Sequence, residues 1–430
     1  DITVFGSAPA VQVGSTTQTV TVGVVGTGDD AYGFINRGSI AADGMFAGTD
    51  SVGVRIGIDG GMAVTIDGGV RNSGSIVALA NDGSATGMII GDGATVLALN
   101  NAGVLRAISN GDSALEAIGL DYFAGASTGS IVNTGTIGGY VFGEAGNAYG
   151  IRDASGTLTS ITNNGSIEGV VTATDDSGDT DDDNTDAGDE TVTGQGVAID
   201  LTANTTGVTL IQDGINDGDD GNDGFPDPDA DSDGVDDNQE PSITGDILLG
   251  SGSDAVEILN GAVNGNISFG DGADSFLIDG GAVVRGALSD SDGQLTIDVA
   301  DGTLDARHVA ALTISGLNVG NDGNLIVTVD PTNNTIGGFN VNGTATFDAN
   351  AGVGVRFTSL LNTPAFGSTV TSFVVVQATT LNVGVLDQAN VQDNSPYMYA
   401  VNAESPPGSN QILLNVRHRS ESEFGFITAE

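Results

Sequence analysis

Runs of about five residues, alternating apolar with small or polar side chains, follow one another along most of the chain and end at Gly or Asn. A period of two marks strands that bury one face. Helical periodicity is almost absent. Only Leu304–Leu312 fits it, and its neighbours read as strands. From about Leu295 the runs lengthen and carry larger residues, as in Leu325–Pro331, Phe339–Phe347, Val353–Leu361 and Ser372–Ala378.

The runs recur at fixed spacing. The triplet Asn-x-Gly stands at Asn36-Arg37-Gly38, Asn72-Ser73-Gly74, Asn101-Ala102-Gly103, Asn133-Thr134-Gly135 and Asn163-Asn164-Gly165, and subtracting the Asn positions gives separations of 36, 29, 32 and 30. Two residues beyond each triplet comes Ile40, Ile76, Leu105, Ile137 or Ile167. A second mark, a small residue between apolar ones, reads as Val52-Gly53-Val54, Thr86-Gly87-Met88, Glu116-Ala117-Ile118, Tyr149-Gly150-Ile151 and Val197-Ala198-Ile199. Later the period shortens. Ile243-Thr244-Gly245, Val263-Asn264-Gly265 and Val284-Arg285-Gly286 place their glycines 20 and 21 apart, and Gly250-Ser251-Gly252-Ser253-Asp254 repeats as Gly270-Asp271-Gly272-Ala273-Asp274.

Segments this short cannot bury a face alone, whereas stacked coils pair each strand with the ones above and below and bury a continuous stripe. The predicted fold is all-β, a right-handed parallel β-helix (solenoid) with a C-terminal capping module. About a dozen coils at the inter-strand spacing give a rod about 60 Å long. A β-sandwich also has many short strands, but repeat spacing over residues 1–300 argues against it. Gly and Asn are expected at corners because they tolerate positive φ, and equivalent Asn side chains are placed to form a hydrogen-bond ladder. The corner Asp254 and Asp274 are read as turn caps rather than as a calcium β-roll, whose period is much shorter than 20. The expected organisation is a solenoid of about 30-residue coils over 1–210 with an acidic insertion at 174–191, an Asp-rich loop at 211–241, a solenoid of 20–21-residue coils over 242–300, a cap over 301–417 and a linker over 418–430.

Composition narrows the function. Acidic residues number 57 against ten basic ones, all Arg, for a net charge of -47, so the basic footprint that nucleic acid or an anionic membrane requires is missing. Hydrophobic residues at 39% nevertheless set the chain apart from disordered acidic sequences. There is no cysteine, which excludes disulfides, thiolate metal sites and a cysteine nucleophile. No run of about 18 apolar residues is present to span a membrane as a helix. Asp1 opens on neither a charged nor an apolar signal region, which reads as a chain whose signal peptide has been removed.

Acid is densest in two stretches, which hold 9 and 12 of the 57 carboxylates. Asp175–Glu190 lacks ligand-like order and reads as a solvated loop extruded from one coil. The second is patterned: with Asp229 as position one, Asp231, Asp233, Asp237 and Glu240 fall at three, five, nine and twelve, with Gly234 at six. That order suits Ca²⁺, because alternate side chains converge on one ion, glycine allows the bend, the Val235 carbonyl adds an oxygen and the terminal Glu can supply two. Asp219, Asp223 and Asp227 look like a second, degenerate copy. Pro226, Pro228 and Pro241 forbid the flanking helices of an EF-hand. Twelve carboxylates between Asp213 and Glu240 would repel one another without a cation. The segment resembles thrombospondin type 3 repeats and the Asp-rich linkers of bacterial outer-membrane proteins.

The strand succession from Leu325 to Ala378, followed by Leu413-Leu414-Asn415-Val416-Arg417-His418-Arg419, resembles the C-terminal module of Gram-negative autotransporter passenger domains. The resemblance covers about the last third of the chain by motif and the rest only by solenoid character. It implies a β-helix closed by a stable cap that assists folding after export, then an exit strand leading to a membrane barrel, whose strands do not follow here. It also implies an extracellular location on the cell surface, with the passenger itself not inserted in the membrane.

Catalytic candidates are few. His308 and His418 are the available imidazoles and read as surface or capping residues. Gly125-Ala126-Ser127-Thr128-Gly129 matches a nucleophile elbow, but Ile131-Val132 leads into a strand instead of a helix. Carboxylate pairs carry no information among 57 acids, and aromatics of 5% without Trp offer little to a polysaccharide. The chain is expected to be non-enzymatic, a calcium-stabilised structural or adhesive rod that meets host or neighbouring cells or matrix. The alternative is a surface-layer or filament subunit forming a homo-oligomer or lattice through calcium, and a third reading is a polysaccharide-active β-helix.

Overall fold

The alternating runs fold as short parallel strands. A computed structural model describes the chain apart from residues 174–190, 216–234, 236–238, 331–332, 334, 359–369, 387, 421–422 and 424–430. It divides into two units, Asp1–Ala230 with Gly234–Gly252, and Asp231–Asp233 with Ser253–Glu430.

In the first unit each coil contributes to three parallel stacks, which makes it a parallel β-helix. One stack runs through Ile2–Phe5, Ser39–Gly44, Ser75–Asn81, Val104–Asn110, Thr136–Phe142, Ser166–Thr172 and Ser242–Thr244. The second passes from Val11–Val13 through Ser51–Ile56 and Ala85–Ile90 to Asp246–Leu248. The third includes Ala94–Asn101, Ser127–Asn133, Ser160–Asn163 and Thr209–Gln212. Parallel pairing puts like on like, so Ile40, Ile76, Leu105, Ile137, Ile167 and Ile243 form one inward column, each at most 5% exposed. Beside it, Ala78, Ala80, Ala85, Ala107, Ala117 and Ala148 pack with Val141 in one mostly alanine cluster.

The asparagines form the expected ladder. Asn36 donates through Nδ2 to Asn72 Oδ1 at 2.8 Å, Asn72 to Asn101 at 2.7 Å, Asn101 to Asn133 at 2.8 Å and Asn133 to Asn163 at 2.9 Å. Asn163 passes the chain on to Gln212 Oε1 at 3.1 Å. Gln212-Asp213-Gly214 is thus a sixth member with Gln in place of Asn.

Two expectations are corrected. The second register mark in its third coil is Ile118-Gly119-Leu120, because Thr86 pairs with Ile118 and Ile118 with Tyr149. The expected positive φ is found at glycines such as Gly57, Gly93 and Gly125 and at Asn350, but not in the triplets: none of Gly38, Gly74, Gly103, Gly135 or Gly165 has it. Close approach explains them. A Cβ on Gly74, Gly103, Gly135 or Gly165 would lie closer than 3.0 Å to the carbonyl oxygen of the glycine in the coil before.

Within the second unit the pairing is also parallel, Ala255 with Ser275, Ser275 with Thr296, and Thr296 with Gly316, steps of 20, 21 and 20 by subtraction. Its strands then lengthen, as Thr296–Ala306 and Gly316–Asp330, and the step grows to 28 where Asn324 pairs with Gly352. Leu304–Leu312 is the end of one strand and the start of another, not a helix. Parallel pairing persists to Thr371–Val383, beyond which Gln411–His418 and Tyr399–Glu404 add antiparallel strands.

The outer strand of that antiparallel set is covered in a way the sequence did not suggest. The short helix Gln388–Asp393 sets Gln388 and Gln392 one turn apart. Gln388 donates to Ala403 O at 2.9 Å and accepts from Ala403 N–H at 3.1 Å, while Gln392 donates to Tyr399 O at 3.0 Å and accepts from Val401 N–H at 3.1 Å. Two side-chain amides thereby act as a neighbouring strand and blunt an exposed edge. Replacing both with Ala is expected to leave the fold intact and cause concentration-dependent self-association, visible by light scattering. A double variant that stays monomeric at high concentration would refute this role.

Candidate functional site

The Asp-rich loop leaves and re-enters the first unit at one corner. Asp213 N–H donates to Asn163 O at 3.1 Å, Asn164 Nδ2 donates to Asp213 O at 2.8 Å, and Ser242 N–H donates to Gly165 O at 2.8 Å. Both roots are therefore held within one Asn-x-Gly triplet, and the ladder above and below is unbroken. Of the proposed ligands, Val235 is buried at 6% exposure and Glu240 is half-buried. Asp219, Asp223, Asp227, Asp229, Asp231, Asp233 and Asp237 lie outside the described residues, as does almost all of the 174–191 tract. Among the described residues no three carboxylate or imidazole side chains close on one point.

The remaining chemical candidates are held by structural contacts. His308 is half-buried, meets the Phe339 ring edge-on at 5.1 Å, and is kept below its ordinary pKa by burial. His418 packs against Tyr399 at 4.6 Å. Ser127 opens a strand paired with Thr95, so no strand-to-helix turn presents it. A cleft of about 400 Å³ beside the helix is lined by Asp305, Arg356 and Asn394, and one of about 550 Å³ by Leu381, Gln388 and Glu404. Each contains a single carboxylate.

The buried Asp121 of the first unit is paired. Arg152 makes two bonds to the buried Asp121, 3.0 and 2.9 Å, and two to Glu116, 3.1 and 3.2 Å, with its guanidinium 5.2 Å from the Tyr149 ring. Burial raises Asp121 despite this partner.

In the second unit no cation among the described residues pairs with Asp274. Asp274 is 2% exposed and its carboxyl is pushed up to about 6, first by burial and then by Asp254, Asp290 and Asp292, against one bond from the Asp254 N–H. The folded chain thus holds this proton more tightly than the unfolded chain. Below pH about 4 both forms are protonated and there is no cost. The cost grows as pH rises from about 4 through about 6 and then stays level. In chelator at pH 7.5, Asp274→Asn is expected to melt above the wild type, with the gap closing by pH 4. A gap independent of pH would contradict the assignment.

No family profile matches the chain, and comparison with curated proteins finds no match.

Proposed function

We propose that the chain is the passenger domain of an autotransporter, exposed on the cell surface as a calcium-stabilised structural or adhesive rod. The observation that carries this reading is the change, within the second unit, from parallel coils to an antiparallel cap ending in Gln411–His418. A parallel coil stack offers a long regular surface on which function resides in loops that leave it. The Asp229–Glu240 pattern supports calcium as the ion, because a hard cation is the simplest neutraliser of so many close carboxylates.

Electron microscopy of the purified chain in millimolar calcium, then after chelation, tests the reading. Single rods in both states, with earlier melting after chelation and binding to cells or matrix, are expected. Ordered sheets or fibres that disperse on chelation would replace it with a surface-layer or filament subunit. In calcium, Asp231→Ala with Asp233→Ala is expected to make the 211–241 loop protease-sensitive; unchanged resistance counts against calcium in the loop.

A further inference from the structure

Two coils of the second unit carry an aspartate where a core residue belongs. Asp254 and Asp274 immediately precede the paired strands Ala255–Ile258 and Ser275–Ile278, and the next coil has Leu295 there, ahead of Thr296. All three are buried, at 2%, 2% and 0% exposure. A carboxylate in place of leucine demands partners for its oxygens. Asp274 satisfies one: Oδ1 accepts the Asp254 N–H at 2.7 Å, which is the turn cap expected from the sequence. Its Oδ2 is buried with no hydrogen-bond partner. Asp290 caps its own turn, with Oδ2 accepting the Leu295 N–H at 3.1 Å, and its Oδ1 is buried without a hydrogen-bond partner. Asp292 stands at the same corner, bonded to the Gly272 N–H at 2.9 Å. The charged groups that act on Asp274 are Asp254, Asp290 and Asp292, all negative.

We propose that the corner at Asp274 and Asp290 is a binding site for a divalent cation of the calcium class, separate from the Asp229–Glu240 loop. Asp274 Oδ2 and Asp290 Oδ1 are hard oxygen donors with no competing bond, and neutralising them removes the repulsion within the corner. Two carboxylates, not three, anchor the ion, because no three carboxylates among the described residues close on one point. Water and main-chain carbonyls of the Gly-rich turns complete a shell that calcium accepts in irregular form. The site does not depend on the chain being a passenger domain.

Equilibrium dialysis with calcium at pH 7.5 decides the matter, using the full chain, the Asp274→Asn variant and a loop variant carrying Asp229→Asn, Asp231→Asn and Asp233→Asn. The loop variant is expected to retain bound calcium, and Asp274→Asn to bind one ion fewer than the wild type. Calcium at about 100 times its Kd is expected to raise the melting temperature of the loop variant by about 5 °C, and that of Asp274→Asn by less than it raises the wild type. Equal stoichiometry in the wild type and Asp274→Asn overturns the proposal. So does a loop variant that binds no calcium yet gains stability when the pH falls from 7.5 to 5, because the corner then takes only a proton. Should Asp274→Asn fail to fold, the loop variant's own stoichiometry and that of Asp290→Asn decide between the same two outcomes.

Discussion

Gly135→Ala is expected to lower the melting temperature of the first unit by about 10 °C, a loss of about 4 kcal/mol, whereas Gly38→Ala leaves it within about 1 °C. The two glycines occupy the same place in the repeat, and neither has positive φ. They differ in what lies beneath. A methyl on Gly135 meets the carbonyl oxygen and amide nitrogen of Gly103, which are main-chain atoms fixed by the coil below. On Gly38 it meets only Asp1, at 3.4 Å or more. Backbone cannot swing aside as a flexible side chain can, so the cost falls on the inter-coil hydrogen bonds. Thermal melting by circular dichroism is the measurement, and equal losses would show that backbone entropy, not contact, sets the requirement.

Asn101→Ala should cost about 3 kcal/mol, against about 1 kcal/mol for Asn36→Ala. Asn101 is fully buried; it accepts from Asn72 and donates to Asn133 Oδ1, Thr136 O and Gly103 O. Its removal strands amide groups on both sides where water does not reach. Asn36 ends the ladder, 7% exposed, with Gly38 N–H as the donor to its oxygen. The double variant Asn72→Ala with Asn101→Ala should cost less than the sum of the singles, since both remove one shared bond. Denaturant unfolding measures all four. Strict additivity would mean that each rung acts alone.

The coil repeat was legible because parallel stacking forces equal residues onto one another: Ile40 to Ile167, and Asn36 to Asn163, could be aligned by eye and do pair. Gln212 escaped because its longer side chain performs the same bond under a different letter. The Glu116-Ala117-Ile118 slip arose because Ala117 is also small and is followed by an apolar residue. What distinguishes Gly119 is a neighbouring carbonyl one coil away, which no local pattern reveals. The helix Gln388–Asp393 is too short to show a period, and its purpose lies in an edge distant in sequence. For the site the balance is different. Spacing alone nominated the Asp229–Glu240 ligands, while the buried Asp274–Asp290 corner needed the structure, since turn caps and unsatisfied carboxylates look alike as letters.

The corner at Asn163–Gly165, where residues 214–241 depart and return between two hydrogen bonds of an uninterrupted ladder, has a further consequence. Across that corner Ser166 pairs with Ser242, a step of 76 by subtraction that spans both acidic tracts, against 30 from Thr136 to Ser166, and the register is kept. Extra sequence admitted at such a point does not enter the energetics of stacking, because loop closure grows only slowly with length. The coil stack is in effect a socket: foreign epitopes or enzymes spliced between Asp213 and Ser242 should be carried without disturbing the coils on either side, and lineages can exchange whole loops there while the frame stays constant.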